Sequence, residues 1–159
     1  MHNNPRKGRS AFRFRSNSQG RSLLLCAGGL SVIKLRLSLP CPVNRMHFAL
    51  PMSSGKKRFT KKVLSKEYRE KRQHLVHEVW QQTGGKPQPM TGSVAVHYTI
   101  TPRDRRTADV DAYEKTLLDG LQMAGVYLND NQVVHVTKER LPNPEHPGHI
   151  DVTIEELPT

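Results

Sequence analysis

The residues best able to do chemistry lie between positions 103 and 130, in the run RDRRTADVDAYEKTLLDGLQMAGVYLND. Asp109 and Asp111 stand two apart, Lys115 follows four residues after Asp111, and Asp130 closes the run. Carboxylates that converge on one point bind a hard divalent cation; Mg²⁺ takes one or two of them and completes its shell with water and substrate phosphates. The neighbouring arginines, Arg103, Arg105 and Arg106, have the planar fork that grips phosphate through two parallel bonds. Together these residue types describe metal-dependent cleavage of a nucleic-acid backbone. Each also has a plainer reading. Aspartates in a first helical turn cap the helix and complement its dipole. Lys115, four residues after Asp111, is placed for a weak exposed ion pair on one helix face. Asp130 joins the other two only if the chain folds back.

The elements that must position these residues follow from periodicity. Residues 32–39 alternate apolar and polar, with Ile33, Leu35, Leu37 and Leu39 on one face, and predict a half-buried strand that Pro40 and Pro42 stop. Residues 41–54 read as a loop ending in the turn signal Ser53-Ser54-Gly55. The run 56–62 sets Lys56, Lys57, Arg58, Lys61 and Lys62 around Phe59: a solvated surface, or a phosphate-tracking stretch with one stacking ring. Ser65 suits an N-cap and Glu67 a first turn, predicting a helix to about Gln82 that Gly84-Gly85 ends. His74 and His77 lie three apart on it and, without a third ligand nearby, read as surface residues. A strand is expected over 93–101. A second helix is expected from about Asp109 to Ala124, with Val110, Tyr113, Leu117, Leu121 and Ala124 as its buried stripe and Gly125 after its end. A turn over 127–131 and strands over 132–141 and 149–155 complete the chain. The order β-α-β-α-β-β predicts an α+β fold, a mixed sheet with two helices packed on it.

Charge is divided unevenly along the 159 residues. The net charge is +11, yet no acidic residue precedes Glu67, where 15 Lys and Arg fall; from Glu67 onward there are 14 acids and 10 bases. A basic segment beside a distinct acidic site favours a polyanionic partner. Cys26 and Cys41 have no CxxC spacing, which argues against structural zinc and a disulfide framework and fits a reducing compartment. No apolar run approaches the roughly 20 residues that a membrane span needs. Residues 1–30 are rich in Arg, Ser, Asn and Gly without periodicity. They are open to three readings: a targeting peptide, a disordered basic arm that adds nucleic-acid affinity, or a segment outside the working domain, whose pattern starts near Ser31.

With these residues in place, the chain resembles the RusA-type Holliday-junction resolvases. That family has an arginine-rich approach, then Asp-x-Asp-Asn-x-x-Lys, then a loop Asp-Asp followed by Gln-Val. Here the matching residues are Arg105 and Arg106, Asp109, Asp111 and Lys115, then Asn129-Asp130 with Gln132-Val133. Leu39-Pro40-Cys41-Pro42-Val43-Asn44-Arg45 is similar to the family's Leu-Pro-x-Pro-Pro-Ser-x-Asn strand exit. The resemblance covers about residues 32–156, leaving 1–30 as a basic extension to a nuclease domain over 31–159. It implies a Mg²⁺-dependent endodeoxyribonuclease that binds a four-way DNA junction as a homodimer and nicks two strands symmetrically, in a cytoplasm of bacterial or phage origin. Asp109, Asp111 and Asp130 would be the metal-binding carboxylates and Lys115 the catalytic lysine. Arg103, Arg105, Arg106, Asn44, Arg45, Lys56, Lys57 and Arg58 would contact DNA. The chain departs from the pattern twice: Ala112 stands in place of Asn, and Asn129 in place of the first acid of the loop pair. Two other functions fit the same residues. One is a non-catalytic basic DNA- or RNA-binding module whose aspartates only cap a helix; the other is a less selective structure-specific nuclease.

Overall fold

The computed structural model describes residues 31–105 and 109–158, and the backbone of 23–25. The expectations for the rest of 1–30, for Cys26 and for Arg106 fall outside the described residues.

The alternating segments form one mixed sheet. Its strands are β1 (Leu23–Leu25), β2 (Ser31–Ser38), β5 (Val94–Thr101), β6 (Val133–Arg140) and β7 (His149–Glu156), in the order β1-β2-β7-β5-β6. Only β5 and β6 run parallel. Register stacks the inward side chains in rows across the sheet: Ile33–Ile154–Val96, Leu35–Val152–Tyr98 and Leu37–Ile150–Ile100. All nine are buried. Successive side chains on a strand point to opposite faces, so this face is the core and the other carries Lys34, Arg36, Asp151, Thr153, His97 and Thr99.

Two helices cover the apolar face. Helix α1 (Lys66–Thr83) begins where expected: the Ser65 hydroxyl accepts from the Tyr68 backbone N–H at 3.1 Å and donates to the Arg45 carbonyl at 2.7 Å. It ends at Gly84, which has φ +80°. Helix α2 (Glu114–Ala124) ends at Gly125 with φ +85°. Leu75, Val76 and Val79 of α1 and Leu117, Leu121 and Ala124 of α2 join the sheet residues in one core. The helices touch closely at Gly120, where an added Cβ would lie 2.7 Å from a Leu75 methyl. The Trp80 indole N–H donates to the Ala124 carbonyl at 2.9 Å, satisfying an orphan acceptor at the end of α2.

The α+β class, the mixed sheet and both helices are thus as the sequence indicates, but two local expectations change. Residues 41–54 are not all loop. A short 3₁₀ turn (Val43–Arg45) leads into a hairpin of β3 (His47–Ser54) and β4 (Lys57–Leu64), closed at Gly55 and forming its own two-stranded sheet. Its strands are exposed except at the end of β4, and its base is held by the small cluster of Cys41, Met46, Tyr68 and Leu64. The second helix also starts later than expected. Val110–Ala112 form a separate 3₁₀ turn, and the α-helix begins at Glu114. Val110 and Tyr113 still pack on the core, which is why the apolar stripe reads through the break. Among the described residues, no helix is long and apolar enough to cross a membrane.

Candidate active site

Three elements converge at one end of α2. The 3₁₀ turn after β5 carries Asp111, the first turns of α2 carry Glu114 and Lys115, and a second 3₁₀ turn (Asp130–Gln132) carries Asp130. They border an open cleft of about 420 Å³, lined by Asp111, Glu114, Lys115, Leu118, Asp119, Asp130 and Lys138. The fold-back that Asp130 requires does occur: α2 runs away from Asp111, and the loop after Gly125 returns the chain to the cleft. Asp109 does not line it. It precedes the first 3₁₀ turn with φ −59° and ψ 133° and makes no capping hydrogen bond.

The loop that carries Asp130 is pinned by Gln132. Its side-chain oxygen accepts from the backbone N–H groups of Leu128 (2.8 Å) and Asn129 (2.9 Å). Its amide nitrogen donates to the carbonyls of Met90 and Gly92, both at 2.9 Å. Asn129 forms a reciprocal capping box with Gln132, and its side-chain oxygen also accepts from the Asn131 N–H at 3.1 Å. The departure from Asp to Asn at position 129 therefore falls on a residue that shapes the turn around Asp130. Ala112, the other departure, donates its N–H to the Asp109 carbonyl inside its own turn.

The lysines are held by carboxylates, though not in the pairing that sequence spacing suggests. Asp111 lies outside α2, so it does not share a helical face with Lys115. Lys115 instead faces Asp119 at 3.5 Å, and the other Asp119 oxygen accepts from the Tyr68 hydroxyl at 3.0 Å. The partner of Asp111 is Lys138, 2.5 Å away, which also bonds Glu114 at 2.8 Å. Both bonds hold Lys138 above the ordinary lysine range, Asp111 first and Glu114 second, so it is an ammonium at neutral pH. Glu114 further accepts from the Tyr98 hydroxyl at 3.3 Å. Burial, followed by the Glu114 charge, pushes the Tyr98 phenol up to about 12.

Glu114, Asp119 and Lys138 are the cleft residues that the sequence reading missed. A signal existed for two of them. Asp119 is four residues after Lys115 in a helix. Lys138 follows Val136 by two in a strand, so it is a charge on the core-facing phase.

The donor chemistry suits a hard divalent cation: the cleft offers carboxylate oxygens and neither His nor Cys. Asp111 and Asp130 are the matched aspartates that face it. Among the described residues, no three His, Cys, Asp or Glu side chains are gathered tightly enough to form a ready-made cage. This is compatible with Mg²⁺, which needs few protein ligands beside substrate phosphates.

The residues expected to meet DNA lie on exposed segments. Arg103 and Arg105 are in the loop after β5, and Asn44 and Arg45 are in the 3₁₀ turn before β3. Lys56, Lys57 and Arg58 are at the tip and start of β4. Arg45 also faces Glu67 at 3.7 Å. The hairpin adds exposed Phe48, Leu50, Met52 and Phe59. Register places these four on one of its faces, while Arg58 and Lys62 lie on the other.

The family model described as endodeoxyribonuclease RusA matches residues 49–155, a span that runs from β3 into β7 and takes in the whole cleft. No curated protein matches the chain.

Proposed function

The chain belongs to the RusA endodeoxyribonuclease family, and from that membership we propose a Mg²⁺-dependent resolvase that cuts four-way DNA junctions by paired, symmetric nicks. Membership itself carries endonuclease action on DNA and dependence on a metal ion. The choice of Mg²⁺, the paired nicks, the homodimer, the cytoplasmic location and the residue roles are our reading. Its main support is that Asp130, distant in sequence from Asp111 and Lys115, lines one open cleft with them, and all three match the family pattern.

In this reading Asp111 and Asp130 would hold the metal ion, while Asp109, the third carboxylate of the family pattern, lies outside the cleft lining. When bound, the ion supplies charge neutralisation and an activated water for in-line attack on phosphorus. The protein's own groups do the rest. Lys115, held by Asp119, presents its ammonium to the non-bridging oxygens, where negative charge grows in the transition state. Arg103, Arg105 and Arg106 fix the phosphate beside the scissile one. Asn44, Arg45, Lys56, Lys57 and Arg58 extend the positive surface along the strand, a contribution that weakens as salt rises. The cleft is open, so an extended backbone can lie across it. A two-fold dimer matches the pseudo-symmetry of a four-way junction and places two such clefts for two nicks.

The binding-module alternative rests on aspartates that serve as helix caps. Asp109 makes no capping hydrogen bond and Asp111 is bonded to Lys138, so this geometry gives that alternative no support. The test is a panel of duplex, fork, flap and four-way substrates with Mg²⁺, run with the intact chain and with Asp111→Asn. The intact chain should nick the four-way junction in pairs, while Asp111→Asn should bind it and leave it uncut. Equal cutting of forks and flaps would indicate the less selective nuclease. Absence of cutting on every substrate would indicate the binding module.

A further inference from the structure

Resting on the assignment of Asp111 to metal binding, we infer that Lys138 is a built-in competitor for the divalent ion, occupying Asp111 in the metal-free protein and yielding it when the ion binds. Lys138 lies at the end of a core row: it is in register with Tyr98, which continues to Val152 and Leu35. Its side chain therefore leaves the edge strand on the helix-covered face, and its ammonium emerges at the start of α2.

The two carboxylates that it bonds are not equivalent. Glu114 is two-thirds buried and is held a second time by the Tyr98 hydroxyl. Asp111 is 77% exposed and lies in the 3₁₀ turn before α2, outside the helix itself. Glu114 is thus the anchor and Asp111 the exchangeable partner. An ammonium at 2.5 Å from Asp111 Oδ1 takes the position that a cation would take on that oxygen. Two cations on one carboxylate repel, so the ion displaces Lys138 from Asp111. Lys138 keeps Glu114 and remains at the cleft rim as a second ammonium near Lys115. Sequence reasoning assigned Lys138 no role.

Mn²⁺ binding to the full chain without DNA, followed by titration calorimetry and by Mn²⁺ paramagnetic resonance, tests this directly. Lys138→Met should bind Mn²⁺ about two- to fivefold more tightly than the parent, the gain expected from removing a competing exposed ion pair. Removing any positive charge from the cleft favours a cation, so Lys115→Met is the control: its lysine pairs with Asp119 and leaves Asp111 untouched. A larger gain for Lys138→Met than for Lys115→Met supports direct competition. An equal or smaller gain overturns it. Asp111→Asn separates the two levels of the argument. If it weakens Mn²⁺ binding while Lys138→Met brings no extra gain, only the competition is wrong. If it leaves binding unchanged, the metal assignment of Asp111 fails and the competition fails with it. Lys138→Gln repeats the measurement with a polar side chain, and melting curves check that each variant is folded.

Discussion

The Tyr68 hydroxyl on α1 donates to Oδ2 of Asp119 on α2 at 3.0 Å, and the other oxygen of that carboxylate faces Lys115 at 3.5 Å. The lysine matched to the catalytic position is therefore steered from a neighbouring helix through a buried phenol. The Arg72 guanidinium, 5.1 Å above the Tyr68 ring, caps the arrangement from the same helix. Tyr68→Phe keeps the ring and its packing and deletes only the donor. A hydrogen bond to a charged acceptor contributes about 1.5 kcal/mol or somewhat more, so urea unfolding should show a loss of roughly that size. Junction nicking should slow by up to about tenfold, the equivalent of about 1.4 kcal/mol, with junction affinity unchanged. A variant as stable and as fast as the parent would show that Asp119 does not depend on Tyr68.

How much of this was legible in the sequence depended on whether burial leaves a pattern. Ile33, Leu35 and Leu37 alternate with polar residues because one face of β2 is core, so strand and phase could both be read. The hairpin is harder to read: Phe48, Leu50 and Met52 alternate along β3, but Ala49, Pro51 and Ser53 between them carry no charge, and the face so marked is exposed rather than core. Pro51 also argues for a loop, yet β3 belongs to a two-stranded sheet with a free edge, where proline is tolerated. The start of α2 was misread because Val110, Tyr113 and Leu117 face the core across a break that spacing does not reveal. In the site, Asp111, Lys115 and Asp130 were found by type and order. Asp119 stands at the local i,i+4 spacing from Lys115, but the sequence pairs that lysine equally well with Asp111, four residues before it. The partnership of Lys138 with Asp111 and Glu114 depends on the parallel β5–β6 crossover, which no local pattern encodes.

Alkaline stability should follow the tyrosines. All four of the chain's tyrosines are raised above their ordinary range, and burial is the largest cause for each. Tyr98, 2% exposed, is pushed up to about 12. A raised phenol keeps its proton in the folded state at a pH where the unfolded chain has lost it. Its contribution is therefore complete below about pH 10 and disappears as pH rises towards about 12. The urea midpoint should be flat with respect to these groups up to about pH 9.5, then fall, each such phenol removing on the order of 1 kcal/mol per pH unit. Tyrosinate absorbance near 295 nm should rise together with unfolding rather than ahead of it. Tyr98→Phe should make the fall shallower; an equally steep fall would rule out Tyr98 as a contributor.

Gln132 is the residue whose loss should disturb the Asp130 loop most. It is a neutral amide with two backbone donors on its oxygen and two backbone carbonyls on its nitrogen, so each end is matched to its surroundings. The loop at its far end is held in turn by Glu156, whose Oε1 accepts from the N–H groups of Thr91 (2.9 Å) and Gly92 (2.8 Å). Gln132→Glu changes little in size but turns the donor end into an acceptor facing the Met90 and Gly92 carbonyls. Two bonds are lost and like partial charges face each other, which should cost about 2 kcal/mol in unfolding free energy. The damage should be local before it is global. Amide exchange should quicken at residues 90–92 and 128–132 while the core strands β5 and β7 stay protected. Mn²⁺ affinity should fall with it, because Asp130 is carried on the turn that Gln132 pins, and raising Mn²⁺ should restore nicking in part. Exchange that stays slow across both segments, with Mn²⁺ affinity unchanged, would show that the turn holds Asp130 without this amide.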